Sequence, residues 1–416
     1  MRAGQRDLDI VIYGATGFVG GLTADYLART RPHLRAGLAG RSPDRLRAAR
    51  NRLATPGHDW EITVADLSDQ RALAAMTART AVLISTVGPY SRHGLPLVEA
   101  CAETGTDYVD LTGEVPFVRR SIERCHQRAS RSGARLVHSC GFDSIPSDLN
   151  VYALHRRAVA ESGGDLLDTT FVLRSYSGGY SGGSVATMIE LMRLAKSDPA
   201  MRAVLDDVYS LSPDRGHEPD LGAQPDLWVR SGGEIAPELT GLWTGGYLMA
   251  LYNTRCVRRT NALLGWRYGR NLRYSETMSM GSSPIAPMLA AAMSAGVGLA
   301  ARYGGHYFDA LPTGFVERLT PDRGAGCDTG SGGYYKVETY TTTSRGHRYV
   351  ASMSQRADPG YSATAVLLGE SALLLATERD RLPALAGVLT PAAAMGDALL
   401  QRLPEVGVKL SGARLY

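Results

Sequence analysis

Leu8-Asp9-Ile10-Val11-Ile12-Tyr13-Gly14-Ala15-Thr16-Gly17-Phe18-Val19-Gly20 is the stretch from which the rest of the chain is read. Ile10 to Tyr13 is a short apolar run, suited to a parallel strand buried on both faces. Three glycines spaced three apart follow at once, and behind them Val19, Leu22, Tyr26 and Leu27 recur at helical spacing. Strand, glycine turn and helix start together make an anion site. Gly14 permits the tight turn, Gly17 lets backbone approach a pyrophosphate, and Gly20 lets the helix pack close on the strand. Position at the first strand of a βαβ unit separates this from a chance spacing of glycines. Gly14, Ala15, Thr16, Gly17, Phe18 and Val19 are therefore expected to contact a dinucleotide.

The next strand ends supply the rest of that site. Leu34 to Ala39 predicts a second strand, ending in Gly40-Arg41-Ser42. An acid here would bind a ribose 2′-hydroxyl, whereas an arginine accommodates a 2′-phosphate. Arg41 stands in the acid's place, with Ser42 as a further donor, so NADP(H) is expected rather than NAD. A third strand, Glu61 to Ala65, ends at Asp66, which is either an adenine-edge contact or the N-cap of a following helix. The fourth, Ala81 to Thr86, runs into Val87-Gly88-Pro89-Tyr90. Ligands of open α/β sheets bind outside the carboxyl ends of the strands. Thr86, Val87, Gly88 and Pro89 are therefore placed beneath the nicotinamide ribose, with Tyr90 and His93 beyond.

A helix over Leu95–Thr104, a strand over Asp107–Leu111, a helix over Pro116–Ser130 and a strand over Ala134–Ser139 continue the alternation. The last strand opens into Gly141-Phe142-Asp143-Ser144-Ile145-Pro146-Ser147-Asp148, a helix start in which Phe142 and Asp143 are candidates for a pocket wall. Past Asn150 the rhythm changes. Asp168–Tyr176 reads as a strand and 177–184 as a small-residue turn, either a carbonyl or phosphate holder or a hinge. Residues 210–240 read as an irregular excursion, and Tyr334–Thr342 with His347–Met353 as a hairpin. The fold class expected is α/β: a Rossmann-like doubly wound parallel sheet, then an α+β domain with a mixed or antiparallel sheet. The boundaries drawn are 1–150, 151–385 and a returning tail, 386–416, whose helix starts at Thr390-Pro391.

Gly281–Ala301 carries no charge, but its alanines, glycines, Pro284 and Pro287 predict a buried or lipid-touching helix rather than a membrane span. A formal charge of +4 on 416 residues, 21% of them charged, gives no reason to expect nucleic acid. Lys196, Lys336 and Lys409 are the only lysines, and none lies near the glycine turn, so Schiff-base chemistry has little support. Five scattered cysteines form no metal-ligand spacing, and no metal is expected. Their pattern and the short charged leader predict a cytoplasmic protein, at most peripheral to the inner face of the membrane.

Gly-Ala-Thr-Gly-Phe-Val-Gly at 14–20, Ala-Gly-Arg at 39–41, Thr-Val-Gly-Pro-Tyr at 86–90, Gly-Phe-Asp-Ser-Ile-Pro-Ser-Asp at 141–148, Ser-Gly-Gly-Ser at 181–184 and Thr-Pro-Ala-Ala-Ala-Met-Gly at 390–396 resemble the saccharopine dehydrogenase-like oxidoreductases. Within them the chain is most similar to the trans-acting enoyl reductases of actinobacterial envelope-lipid synthesis. The resemblance implies a polyketide synthase as partner and, as substrate, the double bond of a carrier-bound acyl chain in phthiocerol or phenolic glycolipid synthesis. It also implies NADPH as reductant. Such a reduction needs a donor for an enolate oxygen and a proton for the α-carbon. Tyr90 and Asp143 are the candidate catalytic residues. Reduction of a small imino or keto carboxylate is the alternative, with Arg174 and Arg255 as candidate carboxylate holders. A non-catalytic, cofactor-bound lipid-handling protein is a third reading. Lipid contact through 281–301 and a homodimer complete the expected partners.

Overall fold

The computed structural model describes residues 6–178, 193, 196–308 and 332–415. These fall into two compact units. The first draws on Met1–Ile145 and Gly360–Val406, the second on Pro146–Pro321, Gly330–Pro359 and Gly407–Tyr416.

In the first unit, β1 (Leu8–Tyr13), β2 (Ala36–Gly40), β3 (Glu61–Val64), β4 (Thr80–Ser85), β5 (Asp107–Val109), β6 (Arg135–Val137) and β13 (Gly387–Leu389) form one sheet in the order β13-β6-β5-β4-β1-β2-β3. Every pairing is parallel. Ile10, Val11, Ile12, Val82, Leu83 and Ile84 are wholly buried, as strands covered on both faces must be. The covering helices include α1 (Phe18–Thr30), α2 (Pro43–Arg50), α3 (Gln70–Ala78), α5 (Leu95–Thr104) and α6 (Val115–Ser132), with a single turn, α4 (Tyr90–His93), after β4. This is the doubly wound sheet expected from the glycine turn and the strand spacing.

The return of the chain begins earlier than position 386. It re-enters the first unit at Gly360 and runs through α12 (Thr364–Thr377) and α13 (Pro391–Arg402). The reason is a buried carboxylate. Glu370 of α12 accepts hydrogen bonds from the Tyr26 hydroxyl of α1 and from Arg402 Nε of α13, the latter at 2.6 Å. A buried charge of this kind is tolerated because it is paired. The last strand, β14 (Lys409–Arg414), does not stay with this unit but joins the other sheet.

The second unit holds α7 (continuing from Ile145 to Ala160), β7 (Leu166–Ser177), β8 (Arg230–Ser231), β9 (Trp243–Gly246), β10 (Arg273–Gly281), β11 (Tyr334–Thr343) and β12 (Arg348–Gln355). Its sheet order is β14-β12-β11-β7-β10-β9-β8. Only β7 and β10 pair in parallel, so the sheet is mixed. The hairpin turns at Ser344-Arg345-Gly346, where Gly346 takes φ +77°. A helix over Ala250–Leu263 is buried nearly all round. Its arginines fasten the helix before the irregular excursion and the start of the excursion itself: Arg255 Nη2 donates to Leu205 O at 2.9 Å and Arg259 Nη1 to Leu211 O at 2.6 Å.

Residues 281–301 are mostly one helix, Ala286–Phe308. Its inner face is built of small residues. Ala286 and Ala290 are wholly buried, and Ser294 Oγ accepts from Gly246 N at 2.7 Å. Its large apolar residues point outward: Met288 is 67% exposed and Leu299 60%. Among the described residues, one helical segment, Pro359–Thr377, has the length and mean hydropathy (1.2) to cross a membrane, and 67% of it is buried inside the protein. The turn at 181–184 lies outside the described residues, as does Cys327; the other four cysteines are buried and form no disulfide with one another.

Candidate functional site

The glycine turn is set by contacts that leave no room for side chains. Gly14 takes φ +95°, and a Cβ there would lie 2.7 Å from both Thr86 Oγ1 and Val87 Cγ2. A Cβ on Gly20 would run into Gly14 O and sit 2.7 Å from Thr86 Oγ1. Gly17 is different: it is exposed, and a Cβ would meet only Gly14 O, at 3.3 Å. Thus Gly14 and Gly20 are glycines because β1, α1 and the β4 turn converge, while Gly17 leaves its outer side open for a ligand. Thr86 ties the two strand ends together, donating from its hydroxyl to Gly14 O at 3.2 Å.

At the end of β2, the Arg41 guanidinium is exposed and no described residue pairs with it. Ser42 caps α2 without a side-chain capping bond, so its hydroxyl is not engaged there. Asp66 is exposed as well. It accepts from Ser68 N and Oγ, and these bonds, with the charge of Arg41, hold its carboxyl below the usual range. The cap of α3 is Asp69, not Asp66. An exposed arginine that makes no ion pair or hydrogen bond with a described residue, next in sequence to a serine hydroxyl without a capping bond, fits a 2′-phosphate, and the open Gly17 turn fits a pyrophosphate.

Beyond β4, Gly88 is exposed and Val87 and Pro89 are half-buried. Tyr90 has its hydroxyl engaged inside the sheet. Its ring is buried, its hydroxyl donates to Ser85 O at 3.0 Å, and it accepts from Leu111 N at 3.2 Å. Burial pushes the phenol well above its ordinary value. The residue is a peg joining the ends of β4 and β5. His93 is exposed.

Two carboxylates that the sequence reading passed over organise these turns. Glu114, buried, accepts from Tyr90 N and Ser91 N, each at 2.7 Å, and from Ser91 Oγ. Asp110, also buried, accepts from Ser139 N at 2.9 Å and Thr112 N at 3.1 Å, joining the ends of β5 and β6. Asp110 Oδ2 meets His138 Nδ1 at 2.8 Å, and His138 Nε2 meets Ser121 Oγ at 2.9 Å. These three have the connectivity of a hydrolase triad, yet all are shut away from solvent. They brace α6 and the strand ends. Neither acid has a sequence signal, since their partners are backbone amides brought near only by the sheet.

The 141–148 stretch divides between the units. Phe142 N donates to Thr364 Oγ1 at 3.1 Å in the first. In the second, Ser147 Oγ accepts from Asn253 Nδ2 at 3.0 Å, and Asp148 accepts from Thr260 Oγ1 at 2.5 Å. Asp143, in the first unit, is partly exposed, with burial of its carboxyl raising the pKa to about 6. Deeper in the second unit, Glu276 is buried and accepts from Tyr274 Oη at 2.7 Å and Asn253 Nδ2 at 3.1 Å. Burial outweighs these donors and raises it to about 7. Arg174 is paired with Glu338, and Arg255 with Asp226 at 2.5 Å. Among the described residues no group of three His, Cys, Asp or Glu is placed to hold a metal.

Comparison with known proteins gives the family. A family profile, the saccharopine dehydrogenase NADP-binding domain, matches residues 10–137. A trans-acting enoyl reductase of Mycobacterium tuberculosis is 55% identical over 418 residues, all of both chains. One of Mycobacterium ulcerans is 53% identical over 419 residues, again all of both chains. The chain belongs to the trans-acting enoyl reductase family. It is an NADP-dependent oxidoreductase on the saccharopine dehydrogenase-like fold. Yeast saccharopine dehydrogenase (L-Glu forming) superposes with a TM-score of 0.54 over 98% of this chain and 99% of its own, at 14% identity, which speaks for the fold alone.

Proposed function

We propose that this member of the family reduces the carbon–carbon double bond of an acyl chain carried by a polyketide synthase in complex-lipid synthesis. The observation that carries it over the alternative lies in the second unit. Arg174 and Arg255, the arginines a small carboxylate substrate would require, are already held by Glu338 and Asp226. Recruiting Arg255 would take its cation from part-buried Asp226, which is costly, and recruiting Arg174 would break its ion pair with Glu338, which would keep Lys336 at 2.8 Å and the Tyr340 hydroxyl at 2.7 Å.

Residues 14–19 would hold the pyrophosphate, Arg41 and Ser42 the 2′-phosphate, Asp66 the adenine edge, and Thr86–Pro89 the nicotinamide ribose. Bound there, NADPH supplies a hydride. The chain's own residues must do the rest. Thr86 and Glu114 fix the height of the 86–91 turn, and Tyr90 pegs it to β5. Asp143 is the proton source for the α-carbon: a carboxyl near pKa 6 keeps a usable protonated fraction close to neutral pH. The experiment that tests this reading is incubation of the carrier-bound enoyl intermediate with NADPH, followed by mass spectrometry of the released chain.

The outward Met288, Leu289, Met293 and Leu299 support contact with lipid or acyl chain at the inner face of the membrane, by a cytoplasmic enzyme. A helix that buries alanine and exposes methionine and leucine inverts the usual arrangement. A homodimer through the same face is the competing outcome of the test given in the Discussion.

A further inference from the structure

Nothing in the glycine turn or the strand ends draws attention to Tyr361, yet the fold carries it to that same edge of the sheet. Tyr361 sits in a π-helical turn, Pro359–Ala363, that leads directly into α12. Such turns are rare and occur often at functional sites. The Tyr361 ring meets Phe18, first residue of α1 and part of the glycine turn, edge to face with centroids 4.8 Å apart and planes at 86°. Three residues on, Thr364 Oγ1 accepts the amide of Phe142 at 3.1 Å. A Cβ on Gly141 would sit 3.2 Å from Thr364 Cγ2, so the Gly141 backbone packs closely on the Thr364 side chain.

These anchors sit at the carboxyl ends of different strands. Phe18 follows β1, Gly141 and Phe142 follow β6, and β4 and β5 lie between them in the sheet. Residues 361–364 therefore span the carboxyl edge of β4 and β5, where the 86–89 turn lies. That edge is where open α/β sheets bind ligands. All of these residues belong to the first unit. Tyr361 is only half-buried, so part of its side chain stays accessible at that edge.

We propose that Tyr361, held by Phe18 and by the Thr364–Phe142 bond, is the wall of the NADP(H) site on its nicotinamide side. It packs against the nicotinamide-ribose half of the cofactor and not against the adenosine half. An aromatic ring at this place supplies apolar contact area at low entropy cost and keeps water from the reacting face. This rests on the cofactor site described above, and the test separates the two.

Binding of NADPH and of 2′,5′-ADP, which carries only the adenosine half, is measured by calorimetry on the full chain. In Tyr361→Ala, NADPH should weaken roughly tenfold or more, while 2′,5′-ADP stays within about twofold of wild type. Tyr361→Phe should restore NADPH binding, because the ring and not the hydroxyl forms the wall. Unchanged NADPH binding in Tyr361→Ala overturns the proposal, as does an equal loss for both ligands. Should that variant not fold, Tyr361→Trp gives a second measurement. Its introduced indole should be quenched by bound NADPH and not by 2′,5′-ADP, and absence of that quenching is equally fatal. Failure of the wild-type chain to bind 2′,5′-ADP would remove the underlying cofactor site instead, and the proposal with it.

Discussion

The carboxylate of Glu114, buried at the start of α6, accepts the backbone amide of Tyr90 at 2.7 Å. With Ser91 N on its other oxygen, it holds the turn after β4 as a clamp holds a hinge pin. Glu114→Gln replaces one acceptor by a donor and leaves a buried amide unpaired, a loss of about 1–3 kcal/mol. The expected result is a lower melting temperature together with a kcat that falls more than NADPH affinity does, since the adenosine half of the site is untouched. Equal kcat per folded molecule would reduce Glu114 to a purely structural brace.

Why Glu114 escaped notice while Gly14 did not is a matter of range. The glycine turn, Arg41 and the strand ends are local signals: each depends on residues a few positions apart, and the parallel sheet follows from their repetition. The sequence places Tyr90 beside the turn, but its bonds go to Ser85 O and Leu111 N, which only the closed sheet brings to its hydroxyl. The return at Gly360 was equally hidden. An apolar stretch such as Thr364–Thr377 fits any core, and what fixes it here is the long-range bonding of Glu370 to Tyr26 and Arg402.

Arg41 offers the sharpest test of cofactor choice. A charge-assisted contact to a 2′-phosphate is worth about 1.5–3 kcal/mol, so Arg41→Ala should weaken NADPH roughly 10- to 150-fold and leave NADH nearly unchanged. Fluorescence titration of both cofactors against both proteins decides it. Parallel losses would show that the guanidinium supports the loop and not the phosphate.

Glu276 predicts a pH dependence of stability. Its folded pKa, about 7, lies above that of the unfolded chain, so the folded state binds the extra proton between the two values. Stability should therefore fall as pH rises from about 4.5 to about 7 and level off above, by something on the order of 3 kcal/mol from this group. Glu276→Gln should abolish this part of the slope. Denaturant unfolding at pH 5 and pH 8 measures it, and an undiminished slope in the variant would assign the effect to other carboxyls.

The outward face of Ala286–Phe308 is tested by replacing Met288, Leu289 and Met293 with glutamine. Flotation with liposomes should drop several-fold while the melting temperature holds, because these side chains are exposed. If sedimentation instead shows a dimer becoming a monomer, with flotation unchanged, the face joins two copies of the chain and does not touch lipid.

The reaction itself is tested most directly through its proton. If Asp143 protonates the α-carbon, turnover on a carrier-bound enoyl chain should be level below about pH 6 and decline as the carboxyl ionises above it. Asp143→Asn should lower the rate at least roughly a hundredfold and erase that limb of the profile, with NADPH binding unchanged. NADPH deuterated on its transferring face should place the label at the β-carbon, and solvent deuterium should enter at the α-carbon. Free short-chain enoyl-CoA is expected to be a poor substrate, because the chain is delivered on a synthase carrier. Reduction of small imino acids, with the carrier-bound chain recovered unreduced, would install the alternative reading. It would also require Arg174 or Arg255 to leave its acidic partner, a rearrangement that charge-reversal of Glu338 or Asp226 would expose.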